Sequence, residues 1–102
     1  MLRPTVAISV YVVLLALALH EHPEAREQLR STTASSRERR AFVQEVRRLY
    51  PFFPGVLARV ASEFTWRGHR FTRGAKVMLD LTSSNRDART FVAAESFRPA
   101  RF

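Results

Sequence analysis

Glu45 and Arg48 stand three residues apart in the run Ala41-Phe-Val-Gln-Glu-Val-Arg-Arg-Leu-Tyr-Pro-Phe-Phe-Pro54. On a helix that spacing puts both side chains on one face, where they can exchange charge-assisted hydrogen bonds with each other and with a third group. In solvent the same pair would contribute only about a few tenths of a kcal/mol, so its meaning depends on what it meets. The other candidates are few. Read alone, Arg3-Pro4 is a helix start, since proline suits a first turn. His20 and His22 are two apart, which on a helix turns them away from each other, and no third ligand accompanies them, so no metal site is expected. Phe52 and Phe53 read as core. No stretch supplies an activated nucleophile, a phosphate-cradling loop or paired catalytic carboxylates, and Asp80 and His69 read as structural.

The elements that must position these residues can be drawn from the pattern. Ser35 and Glu38 form a capping box that opens a helix over 36–50 carrying Phe42, Val43, Val46 and Leu49, and Pro51 stops it. Upstream, 1–22 starts with Arg3 and Pro4 and then runs apolar for fourteen residues, Val6 to Leu19, fewer than the ~20 a bilayer span needs. Two readings fit that run: a signal-peptide core, with Ala16-Leu17-Ala18 as a small-x-small site, or a buried helix that ends before Pro23. A short helix follows over 23–31, with Glu24 and Glu27 near its positive end, and then a serine and threonine loop. From Val56 the pattern becomes extended. Over 56–82, Phe64, Trp66 and Phe71 flank a hairpin turn and Ala75 to Leu81 reads as a further strand, while 83–102 is turn and loop. The fold class is mainly α with a small β-sheet (α+β), one domain at most for 102 residues.

Composition narrows the function. With 46% hydrophobic and 25% charged residues the chain is of globular type. Its net charge of +8 is almost all arginine, Lys76 being the only lysine, which raises nucleic-acid binding as a class. The arginines are dispersed, however. The tightest group, Arg37, Arg39 and Arg40, is interrupted by Glu38 and no nucleic-acid-binding motif surrounds it, so no nucleic-acid partner is expected. There is no cysteine, hence no disulfide, no cysteine zinc site and no thiolate for haem iron.

Taken whole, Gln44-Glu-Val-Arg-Arg-Leu-Tyr-Pro51, with Phe97-Arg-Pro-Ala-Arg-Phe102 further on, resembles the Glu-x-x-Arg helix and the later Pro-x-Arg-Phe segment of the cytochrome P-450 family of haem-thiolate enzymes. The resemblance implies a buried three-way ion network, which by position is Glu45, Arg48 and Arg101. Tyr-Pro-Phe after the helix, and Leu79-Asp80-Leu81 before Asn85-x-Asp87, narrow it to bacterial fatty-acid hydroxylases that consume hydrogen peroxide. Arg3-Pro4-Thr5-Val6-Ala7-Ile8 and Ala16-Leu-Ala-Leu-His-Glu-His-Pro23 are similar to the long central helix on the distal face of the haem, which favours the buried-helix reading of 1–22.

The resemblance implies that Arg3 and Pro4 are catalytic: Arg3 would anchor a fatty-acid carboxylate, which then serves as the acid–base group that splits peroxide. Phe52 and Phe53 would line the acyl channel. Haem is the implied cofactor of the complete enzyme, long-chain fatty acid and hydrogen peroxide its partners, with no redox partner protein, no membrane span and a cytoplasmic setting. The haem-ligating cysteine of the family lies downstream of the segment resembling 97–102, so the chain reads as an internal piece, about a quarter of an enzyme, inactive by itself and unable to hold haem alone. Ala88, Val92-Ala-Ala and Ala100 depart from the family pattern, which puts the local loop geometry in question.

Overall fold

Both halves of the capping box are formed in the computed structural model, which describes residues 2–102, with side-chain surroundings from residue 4 onward. The Ser35 Oγ accepts from the Glu38 N–H at 3.2 Å, and the Glu38 carboxylate accepts from the Ser35 N–H at 2.7 Å. They open α3 (Ser36–Leu49), which buries one stripe: Ala41, Phe42, Glu45, Val46, Arg48 and Leu49. Ser35→Ala is expected to cost ~1 kcal/mol, read as a lowered denaturant midpoint at unchanged slope.

Two helices pack on that stripe. In α1 (Leu2–Glu21) Ala18 is the one fully buried residue among the described side chains, set against Phe42 and Val46 with Leu14, Leu15 and Leu19 around them. Pro23 opens α2 (Pro23–Arg30), which adds Ala25 and Leu29 to the same cluster. The fourteen-residue apolar count understates the first helix. Its stretch Pro4–Glu21 is long and apolar enough, by length and composition alone, to cross a membrane. Val6, Ile8, Val12 and Val13 are each more than half exposed, so most of its apolar surface is left for other elements to cover.

The extended region is two separate antiparallel ribbons. Strand β1 (Gly55–Arg59) pairs with β4 (Lys76–Asp80), Gly55 opposite Asp80. Between them, β2 (Phe64–Trp66) and β3 (His69–Phe71) form the expected hairpin, with the Phe64 and Phe71 rings stacked at 4.8 Å. Arg67 and Gly68 turn it with φ of 49° and 80°, the paired positive angles that match strand twist. The strand placed at Ala75 to Leu81 is shorter than expected, because Asp80 ends it by capping α4 (Leu81–Asn85): its Oδ1 accepts from the Ser83 N–H at 2.9 Å. Asp80 is therefore structural, as its sequence context suggested. A 3₁₀ turn, Pro99–Arg101, lies against α3.

The Cα radius of gyration is 17.6 Å, against ~13 Å for a compact domain of about 100 residues. An apolar helix face and exposed strand residues such as Leu57 and Met78 surround a core of few residues. Those are the proportions of one slab of a larger domain.

Candidate functional site

Glu45 is fully buried, and its carboxylate accepts four hydrogen bonds, three on Oε1 and one on Oε2. Arg48, one helical turn on, approaches it in a fork: Nε to Oε2 and Nη2 to Oε1, both at 2.8 Å. The 3₁₀ turn brings the Arg101 Nε to Oε1 at 3.1 Å and the Arg98 backbone N–H to the same oxygen at 2.7 Å. The three residues expected to meet do meet. Burial pushes the Glu45 carboxyl up; the Arg48 hydrogen bonds, the Arg98 N–H and the charges of both arginines outweigh it and hold the group below its ordinary value.

The arginines reach further than the carboxylate. Arg48 also donates to the carbonyls of Asn85 at 2.7 Å, Ala94 at 2.6 Å and Ser96 at 3.2 Å. All five of its N–H groups are thereby satisfied. Arg101 donates to Val92 at 2.8 Å and to Ala93 and Ser96 at 3.1 Å each. Phe91 lies under both guanidiniums, at 5.2 Å and 6.0 Å from its ring centroid. Ala93 takes a φ of 50°, uncommon for a residue with a Cβ, and this turns its carbonyl into the cluster. The arrangement is a clamp. A buried carboxylate held by two arginines and a backbone N–H closes the 85–98 segment onto α3.

The remaining predicted residues lie elsewhere. The Arg3 side chain is outside the described residues. Pro4 is exposed in the first turn of α1, where its missing N–H leaves no bond unmade. Phe52 and Phe53 are not core: Phe53 is 59% exposed. Their rings touch at 4.2 Å, and Phe52 leans on Tyr11 of α1 at 6.0 Å. With Gln44, Leu81, Phe91 and Phe102 they line an open cavity beside the clamp. The phenylalanine pair thus meets α1 two turns beyond Pro4, not beside it.

Sequence reasoning missed one group. Tyr50, the C-cap of α3, donates its hydroxyl to the Glu21 carboxylate, and His22 Nε2 lies 3.2 Å from the Tyr50 hydroxyl oxygen. Burial, then the hydrogen bond and charge of Glu21, push the Tyr50 phenol up to about 12, with Arg86 acting the other way. His22 is stacked on Phe97 at 3.9 Å. Among the described residues no three His, Cys, Asp or Glu side chains gather around it or elsewhere. No local spacing announces a contact between residues 21 and 50.

A model of the cytochrome P-450 family matches residues 5–102. The chain belongs to that family. Among curated proteins it is similar to cytochrome P-450 monooxygenase 113 of Postia placenta, 31% identical over 96% of this chain and 23% of the relative. Among solved structures it is similar to cytochrome P450EX alpha with myristic acid, 47% identical over 100% of this chain and 24% of the other, TM-score 0.84. It is also similar to an OleT variant in complex with arachidonic acid, 30% identical over 98% of this chain and 23% of that one, TM-score 0.78. The chain thus spans about a quarter of the length of the relatives it matches.

The match takes in α1 from residue 5, so the apolar helix is an element of the cytochrome P-450 domain. Membership implies haem held by a cysteine thiolate. These 102 residues contain no cysteine, so the donor chemistry for the iron is not among them. What fits an apolar macrocycle is the exposed face of α1, as wall and not as ligand.

Proposed function

We propose that this chain is the distal-wall and clamp segment of a fatty-acid hydroxylase that uses hydrogen peroxide. The observation that carries the reading is the likeness, along the whole chain, to a cytochrome P-450 solved with myristic acid. In support, Arg3-Pro4 opens α1, and the helix exposes an apolar face behind it suited to an acyl chain or an apolar cofactor.

Each of the chain's residues then has a task. Arg3 pairs with the substrate carboxylate through two parallel N–H bonds and fixes its distance from the reacting carbon. The held carboxylate moves a proton between the peroxide oxygens, so the acid–base group arrives with the substrate. Phe52 and Phe53 border the path of the acyl chain and exclude water from it. Glu45, Arg48 and Arg101 keep the surrounding loop closed. Haem, its iron held by a cysteine that is not among these residues, would supply the oxygen chemistry. The site of insertion is near the carboxyl end, no redox partner is needed, and the setting is the cytoplasm.

The test is direct. The full-length holoenzyme, given myristic acid and hydrogen peroxide without any reductase, should form hydroxy acids substituted close to the carboxyl group, as read by mass spectrometry. Product formed only with a reductase and its nicotinamide cofactor would overturn the peroxide reading.

A further inference from the structure

Away from the clamp, one polar cluster ties the last turn of α1 to the end of α3. The Glu21 carboxylate can only accept, so the Tyr50 hydroxyl proton points to it and the phenol oxygen is left to accept from the His22 ring. His22 Nε2 therefore carries a proton, and the chain of donors runs from His22 through Tyr50 to Glu21. The His22 ring is fixed on both sides: it lies parallel to Phe97 at 3.9 Å, and Phe97 meets the buried Phe42 edge-on at 5.5 Å. The next residue, Arg98, gives its N–H to Glu45. The cluster thus rests on the same loop that the clamp holds.

The position of this cluster gives it leverage. Within this chain α1 is held over its C-terminal half, through buried Ala18 with Leu14, Leu15 and Leu19 around it and through the Glu21 contact at its end, with the Tyr11–Phe52 contact as a further brace. A helix of 20 residues is ~30 Å long, so a tilt of ~2° about its last turn carries the first turn through ~1 Å. A misplacement of ~1 Å at reacting groups can cost about 10²-fold in rate.

We propose that Glu21, Tyr50 and His22 form a latch that sets the tilt of α1 and thereby the placement of Arg3 and Pro4 at its opposite end, Tyr50 being a positioning residue. The inference rests on the function proposed above. Its particular consequence is regiochemical: the anchored carboxylate moves with α1, so loosening the latch changes which carbon is presented for oxidation.

Tyr50→Phe removes one hydroxyl and keeps the ring in its packing. In the full-length holoenzyme, with haem content equal to wild type, turnover of myristic acid with peroxide should fall about tenfold or more. The ratio of products at neighbouring carbons should shift. Glu21→Gln, which still offers an acceptor oxygen to Tyr50, should keep the wild-type product ratio, whereas Glu21→Ala should copy Tyr50→Phe, and the double variant Glu21→Ala with Tyr50→Phe should add little. A wild-type rate and product ratio in haem-loaded Tyr50→Phe would overturn the latch. If the wild type itself gave no product, the proposed function would fall, and amide exchange would still decide the latch: faster exchange across α1 in Tyr50→Phe supports it, and unchanged protection overturns it.

Discussion

Arg3→Ala in the full-length holoenzyme is expected to lower peroxide-driven fatty-acid turnover by about 10³-fold or more, at unchanged haem content. Two losses combine. The substrate loses its two-point anchor, so the acyl chain no longer presents one carbon, and the acid–base group that arrived with it is lost; such groups alone contribute about 10²–10⁴-fold. Arg3→Lys should recover part of the activity, since an ammonium keeps the charge but not the fork. Haem uptake should not change, because Arg3 lies at the far end of α1 from the packed cluster of Ala18, Phe42 and Val46. The decisive measurement is single-turnover product yield beside the haem spectrum. Turnover within tenfold of wild type in a haem-loaded variant would remove Arg3 from the mechanism.

Glu45→Ala should act on the fold instead of the chemistry. It would leave Arg48, 4% exposed, and the nearby Arg101 facing a void, and would orphan the Arg98 N–H. Removing one partner of a buried ion pair costs ~3–5 kcal/mol, a large part of the ~5–15 kcal/mol that holds a domain folded. The expected result is little soluble, haem-loaded protein; a stable holoenzyme would refute the clamp. The pH dependence has a definite sign. Because the Glu45 carboxyl is held below its ordinary value, its contribution is complete above the unfolded carboxyl value and is lost as pH falls through the lowered one. Acid should therefore release the 85–98 segment, measurable as faster amide exchange there below the usual carboxylate range.

What the sequence made legible was local. Ser35 with Glu38, Pro23 at a helix start and Arg67-Gly68 in a hairpin are each settled within a few residues, and all were readable. Glu45 with Arg48 was readable as a pair for the same reason, and Arg101 was added by resemblance of a distant segment. Contacts that depend on tertiary closure were not readable. Phe91 beneath two guanidiniums and the carbonyls of residues 92–96 carry no signature, since any residue has a carbonyl. Tyr50 meets Glu21 only because α1 and α3 cross at their ends. Phe52 and Phe53 were taken for core on residue type, yet the surfaces that would enclose them lie beyond this slab.

The sequence distance between Glu45 and its partners has a consequence for synthesis of the chain. Arg48 is available at once, one turn away, so the carboxylate is never without a counter-charge. The Arg98 N–H and the Arg101 guanidinium lie 53 and 56 residues downstream. At ~5–20 residues per second, ribosomes need roughly 3–10 seconds to deliver them. Through that interval α3, though α1 and α2 are already made to cover its apolar stripe, exists with its polar centre half-dressed, until the 85–98 loop and the 3₁₀ turn emerge.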